Sequence, residues 1–79
     1  MLSVGDIIDD HEDKLTGVIE SVDVRTVAGQ KVGSVLVHWF NLGPFSTPPA
    51  LVQEALDSGG WTVQENLAIS WGWVFPERK

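Results

Sequence analysis

The sequence predicts a mainly β chain, a small antiparallel barrel of about five strands with one short inserted helix at about residues 48–58. Three observations predict it. Apolar residues alternate with polar ones over several short stretches bounded by turn-forming residues. One short window carries helical spacing, with prolines before it and glycines after it. The chain has only 79 residues and no cysteine, so a single core must form without disulfides.

Leu2 to Ile8 reads as a first short strand, with Gly5-Asp6 marking a turn or bulge inside it. Asp9-Asp10-His11-Glu12-Asp13 holds no apolar residue and reads as a solvated loop. Lys14 to Val27 is a long second strand. Thr16, Val18, Glu20, Val22 and Val24 share one face, and Leu15, Gly17, Ile19, Ser21, Asp23 and Arg25 the other. Gly17 is a place for such a strand to bend.

Ala28-Gly29-Gln30-Lys31 is a hairpin turn, because glycine accepts a positive φ without a Cβ clash. Val32 to Asn41 forms a third strand, with Gly33, Val35, Val37 and Trp39 on one face and Leu36, His38 and Phe40 on the other. Apolar groups on both faces predict a central or covered strand. Leu42 to Pro49 reads as a loop. Ala50 to Asp57 reads as the helix, with Thr47 as N-cap, Pro48 in the first turn and Gly59-Gly60 as its end. Leu51, Val52, Ala55 and Leu56 are its expected buried stripe. Trp61 to Gln64 is a short strand. Leu67 to Phe75 is the expected last strand, with Leu67, Ile69, Trp71, Trp73 and Phe75 on one face. No composition shift or linker divides the chain, so residues 1–79 are expected to form one domain.

Eleven acidic residues against five basic ones give a formal net charge of -6. A nucleic-acid binder needs clustered lysine and arginine to displace counterions, and here Lys14, Arg25, Lys31, Arg78 and Lys79 are scattered. Direct nucleic-acid binding is therefore not expected. The longest uncharged run, Val32 to Gln53, is broken by glycines, prolines and polar residues and does not suit a membrane span. The N-terminal residues lack the basic start of a signal peptide.

Gly5-Asp6-Ile7-Ile8, then Leu15-Thr16-Gly17-Val18-Ile19-Glu20-Ser21-Val22, then a hairpin into Val35-Leu36-Val37-His38-Trp39 form a recurring pattern. The order resembles that of SH3-like barrels. A Gly-Asp-hydrophobic opening, a Gly-Val-Ile second strand and a Val-x-Val-x-Trp third strand recur in small proteins of that fold, many of them encoded by tailed bacteriophages. The resemblance covers residues 4–41 and, more loosely, 67–75. It implies a barrel, and a location in the host cytoplasm or in a virion. Residues 42–66 depart from it, because they place a proline loop and a helix before the last strand. The signature of eukaryotic peptide-binding SH3 domains is absent, so no peptide-binding residues carry over.

The aromatic set is the most informative feature for function. Four tryptophans and three phenylalanines are many for so small a core. Trp39, Phe45, Trp71, Trp73 and Phe75 are therefore candidate partner-binding anchors, since tryptophan buries much area at low entropic cost. Asp9, Asp10, Glu12 and Asp13 are a candidate acidic docking loop that steers a basic partner. That loop lacks the Asp-x-Asp-x-Asp-Gly spacing of a calcium loop, and His11 and His38 are the only histidines, so no metal site is expected. No nucleophile, phosphate-loop or zinc-hydrolase motif is present. The expectation is a non-enzymatic protein-protein interaction module without a cofactor, a structural or assembly component of a phage that binds a protein partner or itself. The alternative is a small acidic regulator that inhibits a host enzyme.

Overall fold

Alternating residues do pair into strands through the first half of the chain. The computed structural model describes residues 2–65 and 67–72. Strands Ile7–Asp10 (β1), Leu15–Val27 (β2), Gln30–Trp39 (β3), Gly43–Thr47 (β4) and Trp61–Gln64 (β5) form one antiparallel sheet in the order β4-β3-β2-β1-β5. A ten-residue helix, Pro49–Ser58 (α1), packs on one face, and a single helical turn, Leu67–Ser70 (α2), packs on the other. The mainly β architecture with one short helix agrees with the sequence reading.

The two faces follow from alternation. Ile7 and Ile8 are adjacent on β1, so they point to opposite sides. Ile8 joins Ile19, Val35, Val37, Trp39 and Val52 beneath α1. Ile7 joins Val18 and Ala68 beneath α2. Each fully buried isoleucine or valine contributes about 1.5–3 kcal/mol. Two-sided burial makes the β1–β2 pair the centre of the molecule.

β2 departs from strict alternation. Its register to β3 shifts between Ile19 and Ser21, so Glu20 is an extra residue, a β-bulge. Ile19 pairs with Val37, and after the bulge Val22 pairs with Val35. Directly paired residues share a face. Val22 and Val24 therefore sit on the same side as Ile19, not opposite it as unbroken alternation predicts.

Trp39 governs the curvature. Its cross-strand partner is Gly17, and a Cβ at Gly17 would lie 2.7 Å from Trp39 Cε3 and 2.7 Å from Val37 Cγ1. The missing side chain lets the indole lie across β2. Its ring centre is 5.4 Å from that of Trp61 on β5, in an edge-to-face arrangement at 69°. β3 and β5 are separated by β2 and β1, about 14 Å in a flat sheet. The sheet curls to bring the two rings together, and α1 touches both β3 and β5 across the concave side. Among the described residues, β4 and β5 are its two edges.

Several boundaries differ from the sequence reading, β3 among them, which runs Gln30–Trp39 rather than Val32 to Asn41. The first strand begins only at Ile7, because Ser3–Asp6 forms a turn in which the Asp6 carboxylate accepts the Ser3 N–H at 2.8 Å. Asp9 and Asp10 are β1 residues, not loop residues. Gly43–Thr47, expected as loop, is strand β4; Pro44 is tolerated there because β4 is an edge. The helix runs one residue further at each end than the expected Ala50 to Asp57, with Pro48 rather than Thr47 in the N-cap position and no side-chain cap.

Residues 67–72 differ most from the sequence expectation. Leu67–Ser70 is one helical turn and Trp71-Gly72 follow as a turn, not as the strand expected over Leu67 to Phe75. Leu67 and Trp71 are four apart, a spacing that suits either period. Helix wins because it buries Ala68 on Ile7 and Val18 and lets its N–H donate to Gly5 O at 3.1 Å. Residues 73–75 of that expected strand lie outside the described residues.

Two stability outcomes follow. Gly17→Ala should destabilise the fold by about 1–3 kcal/mol through overpacking against Trp39, read as a lower urea midpoint. Ala28 and Gly29 both have positive φ, 51° and 80°, a hairpin geometry that favours asparagine in the first position. Ala28→Asn should therefore raise thermal stability by about 0.5–1 kcal/mol, read as an increase of a few degrees in Tm.

Candidate functional site

The aromatic candidates divide by burial. Trp39 is only 6% exposed and belongs to the core, so it is not an interface anchor. Its indole fills the space above Gly17 and meets Trp61. Phe45 is 53% exposed on the edge strand β4. Trp71 is 54% exposed just after α2, with its ring 6.3 Å from that of Phe40. Phe45 pairs with Val37 and so points to the α1 side, whereas Trp71 lies with Phe40 and Leu67 on the α2 side. The two exposed rings do not form one patch. Trp73 and Phe75 lie outside the described residues.

The acidic candidates divide by role. Asp9 joins three strands: its Oδ1 accepts the Thr16 hydroxyl at 3.0 Å, and its Oδ2 accepts the Gln64 side-chain amide at 3.0 Å. Asp10 Oδ1 accepts the N–H groups of Glu12 and Asp13 at 3.0 and 3.1 Å and closes the turn. Glu12 and Asp13 themselves are exposed. The turn is fastened to the start of β5, since the His11 N–H donates to Gly60 O at 2.8 Å and its Nε2 shares a 2.9 Å hydrogen bond with Thr62. Among the described residues, no three His, Cys, Asp or Glu side chains converge on a metal position.

That fastening sets the turn beside α1. An open cavity of about 200 Å³ lies between them, walled by Asp10, Glu12, Glu54, Leu51 and Trp61. Leu51, expected to be buried in the helix stripe, is 55% exposed at its rim, while Val52 carries the helix contact to the core. Glu54 and Leu51 were not legible as site residues, because only the packing of α1 on β3 and β5 brings them to the acidic turn. A second, more apolar groove of about 440 Å³ runs between α1 and the β2–β3 hairpin, lined by Leu2, Val22, Val24, Val35, Val52 and Leu56.

A third feature is the bulge residue Glu20. Its side chain is 3% exposed and its Oε1 lies 3.3 Å from Nδ1 of the half-buried His38 on β3. The other oxygen, Oε2, is buried without a hydrogen-bond partner. Sequence alternation placed Glu20 and His38 on separate strands, and only the β2–β3 register joins them.

A scan of protein-family models, a search of curated proteins and a search of solved structures return no match to this chain.

His38→Ala should destabilise the fold by about 1–3 kcal/mol, because Glu20 Oε1 then loses its imidazole partner inside the protein. Replacing both residues with leucine should recover most of that loss, since a well-packed apolar pair has no buried charge to satisfy. Urea unfolding of the two variants checks both outcomes.

Proposed function

We propose that this protein is a non-enzymatic protein-protein contact module that works as a structural or assembly component. The observation that supports the reading is the placement of Phe45: a large aromatic, more than half exposed, on a strand that is at the edge of the sheet among the described residues. Exposed aromatics on a free strand edge are the usual means by which small β proteins join neighbours. Trp71 on the opposite face supplies a second contact point, so one copy can bridge two neighbours in an assembly. The SH3-like resemblance of residues 4–41 is what suggests a tailed phage particle or its precursors as that assembly. The acid-walled cavity favours a second reading, a small acidic regulator that docks on a basic surface of a host enzyme.

Phe45→Ser and Trp71→Ser test the first reading. Both side chains are largely exposed, so the variants should keep the wild-type melting behaviour. The tagged chain should capture assembly proteins from its native lysate at high salt, because apolar contacts are little screened. Either serine variant should lose that capture by roughly 30-fold, the scale of an interface hot spot. Undiminished capture by both variants would overturn the reading.

A further inference from the structure

We infer that the apolar groove between α1 and the β2–β3 hairpin docks on the same groove of a second copy of this chain, in a two-fold dimer whose axis runs along the groove. This inference rests on the contact-module reading, for which it names one partner, and its lining includes neither Phe45 nor Trp71.

The groove owes its apolar floor to the Glu20 bulge. Beyond the bulge Val22 and Val24 turn to the α1 side, where Val22 pairs with Val35. α1 leans on β3 and β5 and leaves these two valines 39% and 36% exposed. Gly33, directly across from Val24, has no side chain to shield it. The reverse face of the hairpin carries Asp23, Arg25 and Ser34 and is polar. A two-stranded ribbon with one apolar face is marginal in water until that face is covered.

The two rims of the groove point to what covers it. The hairpin rim carries Lys31, which makes no ion pair among the described residues. The helix rim carries Gln53, whose side-chain amide donates to Asp57 Oδ1 at 2.8 Å. That bond sets the Asp57 carboxylate one helical turn along the same side of α1. One rim is therefore cationic and the other anionic. In a face-to-face pair related by an axis along the groove, the hairpin rim of each copy lies over the helix rim of the other. Residue i then meets j, and j meets i. Lys31 of each copy meets Asp57 of the other, while the valines of both copies close on one another. An axis across the groove would instead set Lys31 against Lys31, so the charges select one arrangement. A partner carrying a single sign of charge would be repelled at one of the rims.

The face is small, at the low end of specific interfaces, so the dimer is weak and reversible, with a Kd on the order of 0.1 mM.

Sedimentation equilibrium of the full chain between about 10 μM and 1 mM spans that Kd and tests the inference. Backbone amide shifts on dilution should concentrate at residues 22–35 and 49–57. Lys31→Glu and Asp57→Lys, both at exposed positions, each set like charges together in both rim pairs and should each raise Kd roughly fivefold. Mixing the two variants should restore association to within about twofold of wild type, because both rim pairs of the mixed dimer again join opposite charges. A chain that stays monomeric at the highest concentration would overturn the inference. So would dilution shifts centred on residues 43–47 or 67–72, or a mixture that associates no better than its components. If the chain is monomeric while Phe45→Ser and Trp71→Ser still abolish capture, only this inference falls and the contact-module reading stands.

Discussion

The fold depends on one contact, the Trp39 indole lying over Gly17 and meeting the edge of Trp61. Trp39 ends β3 and Trp61 begins β5, so their meeting links strands three places apart. Gly17 is what makes the contact sterically open, because a Cβ there would lie 2.7 Å from both the indole and a Val37 methyl and force them to shift. Once the two rings meet, the concave side is narrow enough for a ten-residue helix to cover it. α1 has only one fully buried residue, Val52, and could not hold its place without a curved surface to sit in.

The bulge at Glu20 is the second constraint. It reverses the alternation of β2, so that Val22 and Val24 follow Ile19 onto the α1 side. The result is one continuous apolar surface from Ile19 out along the hairpin, part of it left open as the groove beside α1. The same bulge turns a carboxylate inward to His38 and leaves one of its oxygens without a partner. Bulges commonly re-aim a side chain in this way. The curvature gained is balanced against a buried acid that the core does not fully satisfy.

These two constraints also explain the surface. Curling the sheet places the β1–β2 turn next to the end of α1, and the His11–Gly60 hydrogen bond holds it there. Acids separated by more than forty positions in the sequence, Asp10 and Glu54, then share a cavity. The aromatics are sorted by the same geometry. Trp39 and Trp61 are used to close the concave side, and Phe45 is left exposed on β4. Of the aromatics singled out in the sequence, Phe45 and Trp71 are more than half exposed, and Trp39 is buried.

Local pattern was enough to identify β2, β3, their hairpin, the helix and the short β5. Each has a period or a turn signal contained within its own residues, such as Val35-x-Val37-x-Trp39 or the glycines after Asp57. It was also enough to name Phe45, Trp71 and the acidic turn as surface candidates. Packing decided the rest. Leu67 and Trp71 fit a strand face and a helix face equally well, and the burial of Ala68 on Ile7 and Val18 chose the helix. The Glu20 bulge, the Glu20–His38 pair and the joining of Glu54 to Asp10 depend on register and curvature. Those are relations between segments, and alternation within one segment carries no information about them.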